Sequence, residues 1–460
     1  MKKVAFHNLG CKVNSYEMEY VQQQFKESGY EIVQFGQKAD IYVINTCTVT
    51  NIADRKSRQM LHKARKINPD AIVCALGCYV QTDTDGAKED PAIDILIGNN
   101  RKADTLRIIE EYMGSRDSDG TDKGIGSVYV PDMKEKLPYE DMILRGSMEH
   151  TRVSVKIQDG CDQYCSYCAI PYSRGHIRSR DKKNIIEEIT NLANAGYMEV
   201  VLTGIHLSSY GLDFDGREGN YNRAADKGEY TNMDLLDVIK AVSGISGINR
   251  IRLGSLEPRI ITRDFLGGLK NIKEFCPHFH LSLQSGSNTV LKRMNRHYTA
   301  EEFLERISLI REYFPNAAIM TDVIVGFPGE TEEEFNECRE FLKKANLYRA
   351  HVFKYSKREG TTAASMKGQV ADKIKDTRSE ILIKDSAERE RDFAAAHVGK
   401  EVKLLLEDEE TVNGISYRMG YTDNYVRCAV RADKCPACGL ISGVGAGLLT
   451  DEILEVYADK

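Results

Sequence analysis

The sequence predicts an α/β protein in three successive parts: an N-terminal open parallel sheet with helices on both faces, a central partial (βα)6 barrel, and a C-terminal small antiparallel β-barrel. Three patterns point there. Short apolar runs alternate with amphipathic stretches over residues 1–140, as strands and helices do in an open parallel sheet. A strand–helix unit then recurs six times over 147–378. Over 386–460 the pattern changes to short β-like runs broken by turns, the mark of a small all-β unit.

In the first part, "KVAFHNL" (3–9), "IYVINT" (41–46), "AIVCALG" (71–77) and "IDILIG" (93–98) are the expected strands. "NSYEMEYVQQQFKESGY" and "NIADRKSRQMLHKARKI" are the helices between them, and the polar "GSRDSDGTDKGIGS" (114–127) is expected to be a loop. In the second part strands begin near Val153, Glu199, Arg250, Phe279, Ala317 and Ala350. Six such units joined by right-handed crossovers curl into a partial barrel with its site at the carboxyl ends of the strands. In the third, "KEVKLLLE", "GISYRMGYT", "NYVRCAV" and "EILEVYA" follow a charged helical stretch.

Composition narrows the function. The chain of 460 residues is 42% apolar and 29% charged, as ordinary soluble proteins are. It has no apolar run long enough to span a membrane, and its amino terminus lacks an export signal, so a cytoplasmic location is expected. A net charge of −6 argues against a globally basic nucleic-acid binder but not against local basic patches. In a reducing compartment the 12 cysteines do not form a disulfide framework; clustered ones are metal ligands or catalytic thiols.

"DGCDQYCSYCAIPYSRG" packs Cys161, Cys165 and Cys168 directly behind the first barrel strand. Thiolates so spaced can bind three irons of a [4Fe–4S] cluster and leave the fourth open to a substrate or cofactor; a zinc site completed from afar and reduced structural cysteines are the alternatives. Cys11, Cys47 and Cys78 each follow a different predicted strand, at the edge where open α/β sheets gather ligands. They are a second candidate metal set, or else small buried hydrophobes. Cys74, Cys276 and Cys338 are expected to be structural, and the role of Cys428, Cys435 and Cys438 is open.

The Cys161–Cys168 motif resembles that of the radical S-adenosylmethionine superfamily, whose members bind that cofactor at the open iron. "GCKVNSYE", "NTCTVTNIADRKSRQ" and "LGCYVQ" resemble the amino-terminal cluster domain of the methylthiotransferases. The run around Cys47 is most similar to the type acting on tRNA adenosine 37 that carries a threonylcarbamoyl group. The resemblance implies two [4Fe–4S] clusters, one on Cys161, Cys165 and Cys168 and one on Cys11, Cys47 and Cys78. It also implies S-adenosyl-L-methionine as cofactor, an electron donor, and 2-methylthio-N6-threonylcarbamoyladenosine as product. Reductive cleavage of the cofactor would give a 5′-deoxyadenosyl radical that activates adenine C2. The last part resembles the TRAM RNA-binding module.

Around such a cofactor Gly204, Ser255, Glu257 and Gln284 are the candidate contacts, each at a barrel-strand end. His278, His280, Ser282 and Gln284 alternate along one strand as an inward polar row. Two basic stretches adjoin the cysteines: Arg55, Lys56, Arg58, Lys63, Arg65 and Lys66, and Arg174, Arg178, Arg180, Lys182 and Lys183. Either is a candidate tRNA path or a solvated face. The last part is net acidic, so its RNA contacts are expected from one local face, from stacking by Tyr417, Tyr421 or Tyr425, or from backbone groups. Rival readings are the same chemistry on isopentenyladenosine or a ribosomal protein, and a noncatalytic iron–sulfur RNA-binding redox sensor.

Overall fold

The computed structural model describes residues 1–119, 127–146, 151–214 and 233–458. Six parallel strands form the first sheet: β1 (Lys3–Asn8), β2 (Glu31–Val33), β3 (Ile41–Thr46), β4 (Ile72–Gly77), β5 (Ile95–Ile97) and β6 (Ser127–Tyr129), in the order β2-β1-β3-β4-β5-β6. Strands β3 and β4 are buried at every residue, as strands covered on both faces must be. The short strands β2 and β6 carry too little apolar pattern to announce themselves in the sequence. The helix Thr105–Asp119 extends into the stretch expected to be a loop, while 120–126 lies outside the described residues.

The order of strands places the chemistry. The chain moves from β1 outward to β2 and then returns past β1 to β3, so a topological switch point lies between β1 and β3, where α/β sheets open a crevice. Helix α1 (Lys12–Glu27) starts at this edge after β1, α2 (Asn51–Ile67) after β3, and α3 (Cys78–Thr82) after β4.

The second part contains all six expected strands: β7 (Arg152–Lys156), then β10 (Glu199–Thr203), β11 (Arg250–Leu253), β12 (His278–Gln284), β13 (Ala318–Val325) and β14 (Arg349–Lys354). They form two three-stranded parallel sheets, β11-β10-β7 and β12-β13-β14, which meet through an isolated bridge from Leu256 to Leu281. The result is an open, half-closed barrel, with α1 packed beside β7. A minimal hairpin of β8 (Gln158–Asp159) and β9 (Arg178–Ser179) brackets the loop that carries Cys161, Cys165 and Cys168.

The last part is a closed barrel of β15 (Glu401–Val412), β16 (Ile415–Thr422), β17 (Arg427–Arg431), β18 (Gly439–Thr450) and β19 (Ile453–Ala458). One of its pairings, β17 with β19, is parallel rather than antiparallel. This module seals the amino-terminal end of the larger barrel. Arg250 donates to the carbonyls of Tyr421 and Lys403 at 2.8 Å each, and Arg252 donates to those of Asp423 and Thr422 at 2.6 Å each.

Candidate active site

Cys11, Cys47 and Cys78 follow β1, β3 and β4, which are neighbours in the sheet, so three positions distant in sequence share one short stretch of edge. Two glycines make the approach possible. Gly10 has φ +114°, and a Cβ there would stand 2.7 Å from Asn14 Nδ2 and 3.3 Å from Cys47 Sγ. Gly77 has φ +95°, and its Cβ would meet Asn45 Oδ1 at 2.6 Å. Only glycine tolerates both the conformation and the crowding.

Asn14 ties this edge together, donating to the carbonyls of Leu9 and Thr46 at 2.8 and 3.1 Å. Asn99 Nδ2 donates to Cys78 Sγ at 3.4 Å and to the Ser173 carbonyl at 2.7 Å. Burial pushes the Cys47 thiol up to about 11, with Cys78 and Cys11 adding to the shift. A thiol so placed is protonated by itself and gives up its proton on binding a cation.

The second triad is built differently. Gly160, at φ +72°, would carry a Cβ only 1.8 Å from the His176 carbonyl, so the two limbs of the loop touch through bare backbone. The Cys161 amide donates to the Gly175 carbonyl at 3.0 Å, and that of Cys168 to the Cys165 carbonyl at 3.0 Å. Burial, reinforced by the neighbouring cysteines, holds the Cys161 thiol well above its ordinary value and that of Cys168 up to about 12. Arg296 Nη1 donates to Cys165 Sγ at 3.2 Å.

Among the described residues no His, Cys, Asp and Glu set is arranged around a single-ion site. Within each set the thiols share one electrostatic neighbourhood, Cys47 with Cys78 and Cys11, and Cys161 with Cys165 and Cys168, an arrangement compatible with thiolates on different irons of one cubane. The N–H···S bonds to Cys78 and Cys165 are the kind that tune such sulfurs.

One cleft of about 240 Å³ joins the two parts. Thr48, Val49 and Thr50 line it from the edge beyond Cys47; Tyr167, Cys168, Gln284, Asp322, Ile324 and Phe353 line it from the barrel mouth. Val49 and Phe353 are about half exposed, at 54% and 46%. Such apolar groups at a mouth suit a flat ring.

The four candidate cofactor contacts have different surroundings. Gln284 lines the cleft and holds φ +72°, a strained conformation for a non-glycine residue. Ser255 Oγ lies 2.9 Å from Ser282 Oγ. Glu257 is buried and accepts from the amide and Nε of Arg259 at 2.8 and 2.9 Å. Gly204 is pressed on Gln158, whose Oε1 would lie 2.8 Å from a Cβ.

Charges sort less as the sequence suggests. Arg174, Arg178 and Arg180 are buried, so they offer no surface to RNA. Arg174 pairs with Glu17 at 2.9 Å and Asp159 at 3.0 Å, Arg178 lies 3.6 Å from Asp159, and Arg180 is bonded to Asp141 and Glu188. Lys182 and Lys183 stay exposed, as do Arg55, Lys56, Arg58, Lys63 and Lys66 on α2, whereas Arg65 is held by Asp94 at 2.6 Å. The tyrosines are also engaged. Tyr421 and Tyr425 stack at 4.8 Å beside Arg152, and Tyr417 is buried.

Three residues carry roles that no motif signals. Besides Arg296, Arg358 reaches from beyond β14 to Asn51 Oδ1 at 2.7 Å and Asp54 Oδ2 at 2.6 Å, and also to Thr48. Lys12, beside Cys11, turns into the barrel lumen, where burial and then Arg152 and Arg252 push its ammonium down from its ordinary value.

A cysteine-rich loop at the carboxyl end of β7, opening on a cleft at the mouth of a partial βα barrel, defines a radical S-adenosylmethionine enzyme. Residues 155–342 match the Radical SAM superfamily, and 3–98 match an uncharacterized protein family, UPF0004. The fold is shared with the radical S-adenosylmethionine methyltransferase TsrM from Kitasatospora setae, at TM-score 0.52 and 14% identity over 90% of this chain and 79% of that one.

The chain is 42% identical to the Bacillus subtilis threonylcarbamoyladenosine tRNA methylthiotransferase MtaB over 94% of its length and 91% of the relative's. It is 38% identical to the Aquifex aeolicus protein of that name over 92% and 95%. To the Clostridium tetani tRNA-2-methylthio-N(6)-dimethylallyladenosine synthase it is 33% identical over 87% and 84%. The chain belongs to the radical S-adenosylmethionine methylthiotransferase family, whose members use S-adenosylmethionine and [4Fe–4S] clusters. Among the described residues no helix is long and apolar enough to cross a membrane.

Proposed function

We propose that this protein converts N6-threonylcarbamoyladenosine at tRNA position 37 into its 2-methylthio derivative, working in the cytoplasm with an external electron donor. One observation carries the reading: a single cleft is lined by Cys168 from the barrel mouth and by Thr48, Val49 and Thr50, the residues directly beyond Cys47, from the first sheet. Cys161, Cys165 and Cys168 would hold one cluster, and Cys11, Cys47 and Cys78 the other. When bound, these groups supply the electron for cleaving S-adenosylmethionine and the methylated sulfur for adenine C2.

The chain's own residues bind, orient and shield. Gln284 and Asp322 are polar groups the cleft offers a bound nucleoside, while Val49, Ile324 and Phe353 exclude water around it. Arg296 orients Cys165, and Arg358 fixes the loop beyond Cys47 against the barrel. The exposed cations of α2, which starts at the cleft rim, give the phosphate backbone a path toward it.

The test is nucleoside mass spectrometry after incubating cluster-loaded protein with tRNA bearing threonylcarbamoyladenosine or, separately, dimethylallyladenosine. Methylthio product from the first substrate alone is expected; product from only the second overturns the assignment. Cys165→Ser is expected to abolish 5′-deoxyadenosine formation. Cys47→Ser is expected to keep some of it but give no methylthio product.

A further inference from the structure

A second cavity, of about 120 Å³, lies deeper in the barrel, lined by Lys12, Arg152, Ser154, Val201, Arg252, Leu253, His278 and Tyr425. Its charge is one-sided. Arg152 and Arg252 are committed to Glu407, Glu199 and carbonyls of the terminal module. Among the described residues, the Lys12 ammonium meets no carboxylate within ion-pair distance. Glu199 lies too far off and is shared by Arg252 at 2.7 Å, Arg250 at 3.6 Å and Arg152 at 3.9 Å.

A second orphan faces the same space. His278 is buried, its Nε2 lies 2.9 Å from Met320 Sδ, and among the described residues its Nδ1 has no hydrogen-bond partner. A buried polar atom without a partner is costly unless a ligand or water completes it. A lysine that faces an accessible cavity beside two arginines makes that cavity attractive to an anion.

We infer that this cavity binds a carboxylate, and that the carboxylate is the threonyl one on the substrate's N6 substituent. The inference rests on the proposed function. The reach agrees. Lys12 is covalently next to Cys11, and its extended side chain places the ammonium within about 10 Å of that cysteine's Cα. In the substrate, N6 and C2 lie on the same Watson–Crick edge, and the threonyl carboxylate sits about 8 Å from C2. With C2 presented to the Cys11 edge, the carboxylate lies within range of Lys12, Ser154 Oγ and His278. A dimethylallyl group carries no charge to satisfy Lys12, so the same contact selects between the two tRNA modifications.

The test uses the full chain and an anticodon stem-loop RNA carrying threonylcarbamoyladenosine as the free acid or as its methyl ester. Affinities come from fluorescence anisotropy. Wild type is expected to prefer the acid about tenfold or more, the range of a charge-assisted bond. Lys12→Gln should bind both forms within about twofold, Lys12→Glu should prefer the ester, and Ser154→Ala, away from the cysteine edge, should lose part of the preference.

Retention of the full preference by Lys12→Gln and Ser154→Ala overturns the site. So does a fall in S-adenosylmethionine affinity with the RNA preference intact, which would assign the cavity to the cofactor's carboxylate. Equal binding of acid and ester by wild type also overturns it. Methylthio product from the acid RNA then shows whether the proposed function stands without this site.

Discussion

Arg296 stands in "KRMNRHY", where its charge looks like one more solvated cation. In the structure its guanidinium reaches Cys165 Sγ at 3.2 Å and the Ser282 carbonyl at 3.1 Å, and lies 4.8 Å over the Tyr298 ring. A donor on a cluster sulfur stabilises the reduced, more negative state. Arg296→Met should therefore lower the midpoint of the barrel cluster by on the order of 50 mV, equivalent to about 1 kcal/mol. An EPR-monitored redox titration checks this; an unchanged midpoint at full iron content would refute the role. No spacing rule finds such a residue, because its partner lies 131 positions away.

At the scale of elements, the loop from Cys47 to α2 is held by a strut from another folding unit. Arg358 bonds Asn51 and Asp54, and Ser356 Oγ accepts from the Asn51 amide at 3.0 Å. This fixes how far the Cys47 edge stands from the barrel mouth, and small misplacements between reacting groups cost large factors in rate. Arg358→Ala should raise the ratio of 5′-deoxyadenosine to methylthio product about tenfold while leaving iron content and melting temperature near wild type. Product coupling equal to wild type would show that the strut positions nothing.

The element scale also shows where sequence patterns fail. The six barrel strands follow apolar periodicity, but β18 runs through "GLISGVGAGLLT" and escapes notice because glycine weakens a strand pattern. The structure needs that glycine. A Cβ at Gly443 would stand 2.5 Å from the Tyr457 carbonyl, and one at Gly445 would stand 2.3 Å from that of His397.

Across the whole molecule, a buried ionic knot joins the first sheet to the barrel. Glu17 on α1 accepts from Lys102 at 2.5 Å, Lys156 at 2.8 Å and Arg174 at 2.9 Å, and Asp159 takes Lys156 and Arg174 from the other side. Burial opposes ionisation of Glu17, but Arg174, Lys102 and Lys156 outweigh it and hold the carboxyl well below its usual range. Such a knot contributes specificity of docking more than net stability, whereas removing one partner strands the others. Glu17→Gln should cost roughly 3–5 kcal/mol at pH 7.

Because the folded pKa of Glu17 is depressed, its contribution is fully present above the unfolded carboxylate value. It is lost as pH falls through the folded one. The deficit of Glu17→Gln should therefore shrink in acid, read by denaturant unfolding at pH 7 and below pH 4. A deficit independent of pH would place the effect elsewhere.

What the sequence determined by itself is what local pattern encodes: the alternation of strands and helices, and the six cysteines placed just past strand ends. Apolar period and strand termini are properties of neighbouring residues, so they survive without a fold. The tertiary structure decided the partners. It buried Arg174, Arg178 and Arg180, engaged Tyr421 and Tyr425 at the floor of the larger barrel, set Arg296 and Arg358 at their posts, and left Lys12 without a counterion among the described residues. A charged side chain looks the same in sequence whether solvated or enclosed. Which it becomes depends on what packs against it from a hundred or more residues away, and on whether an opposite charge comes with it.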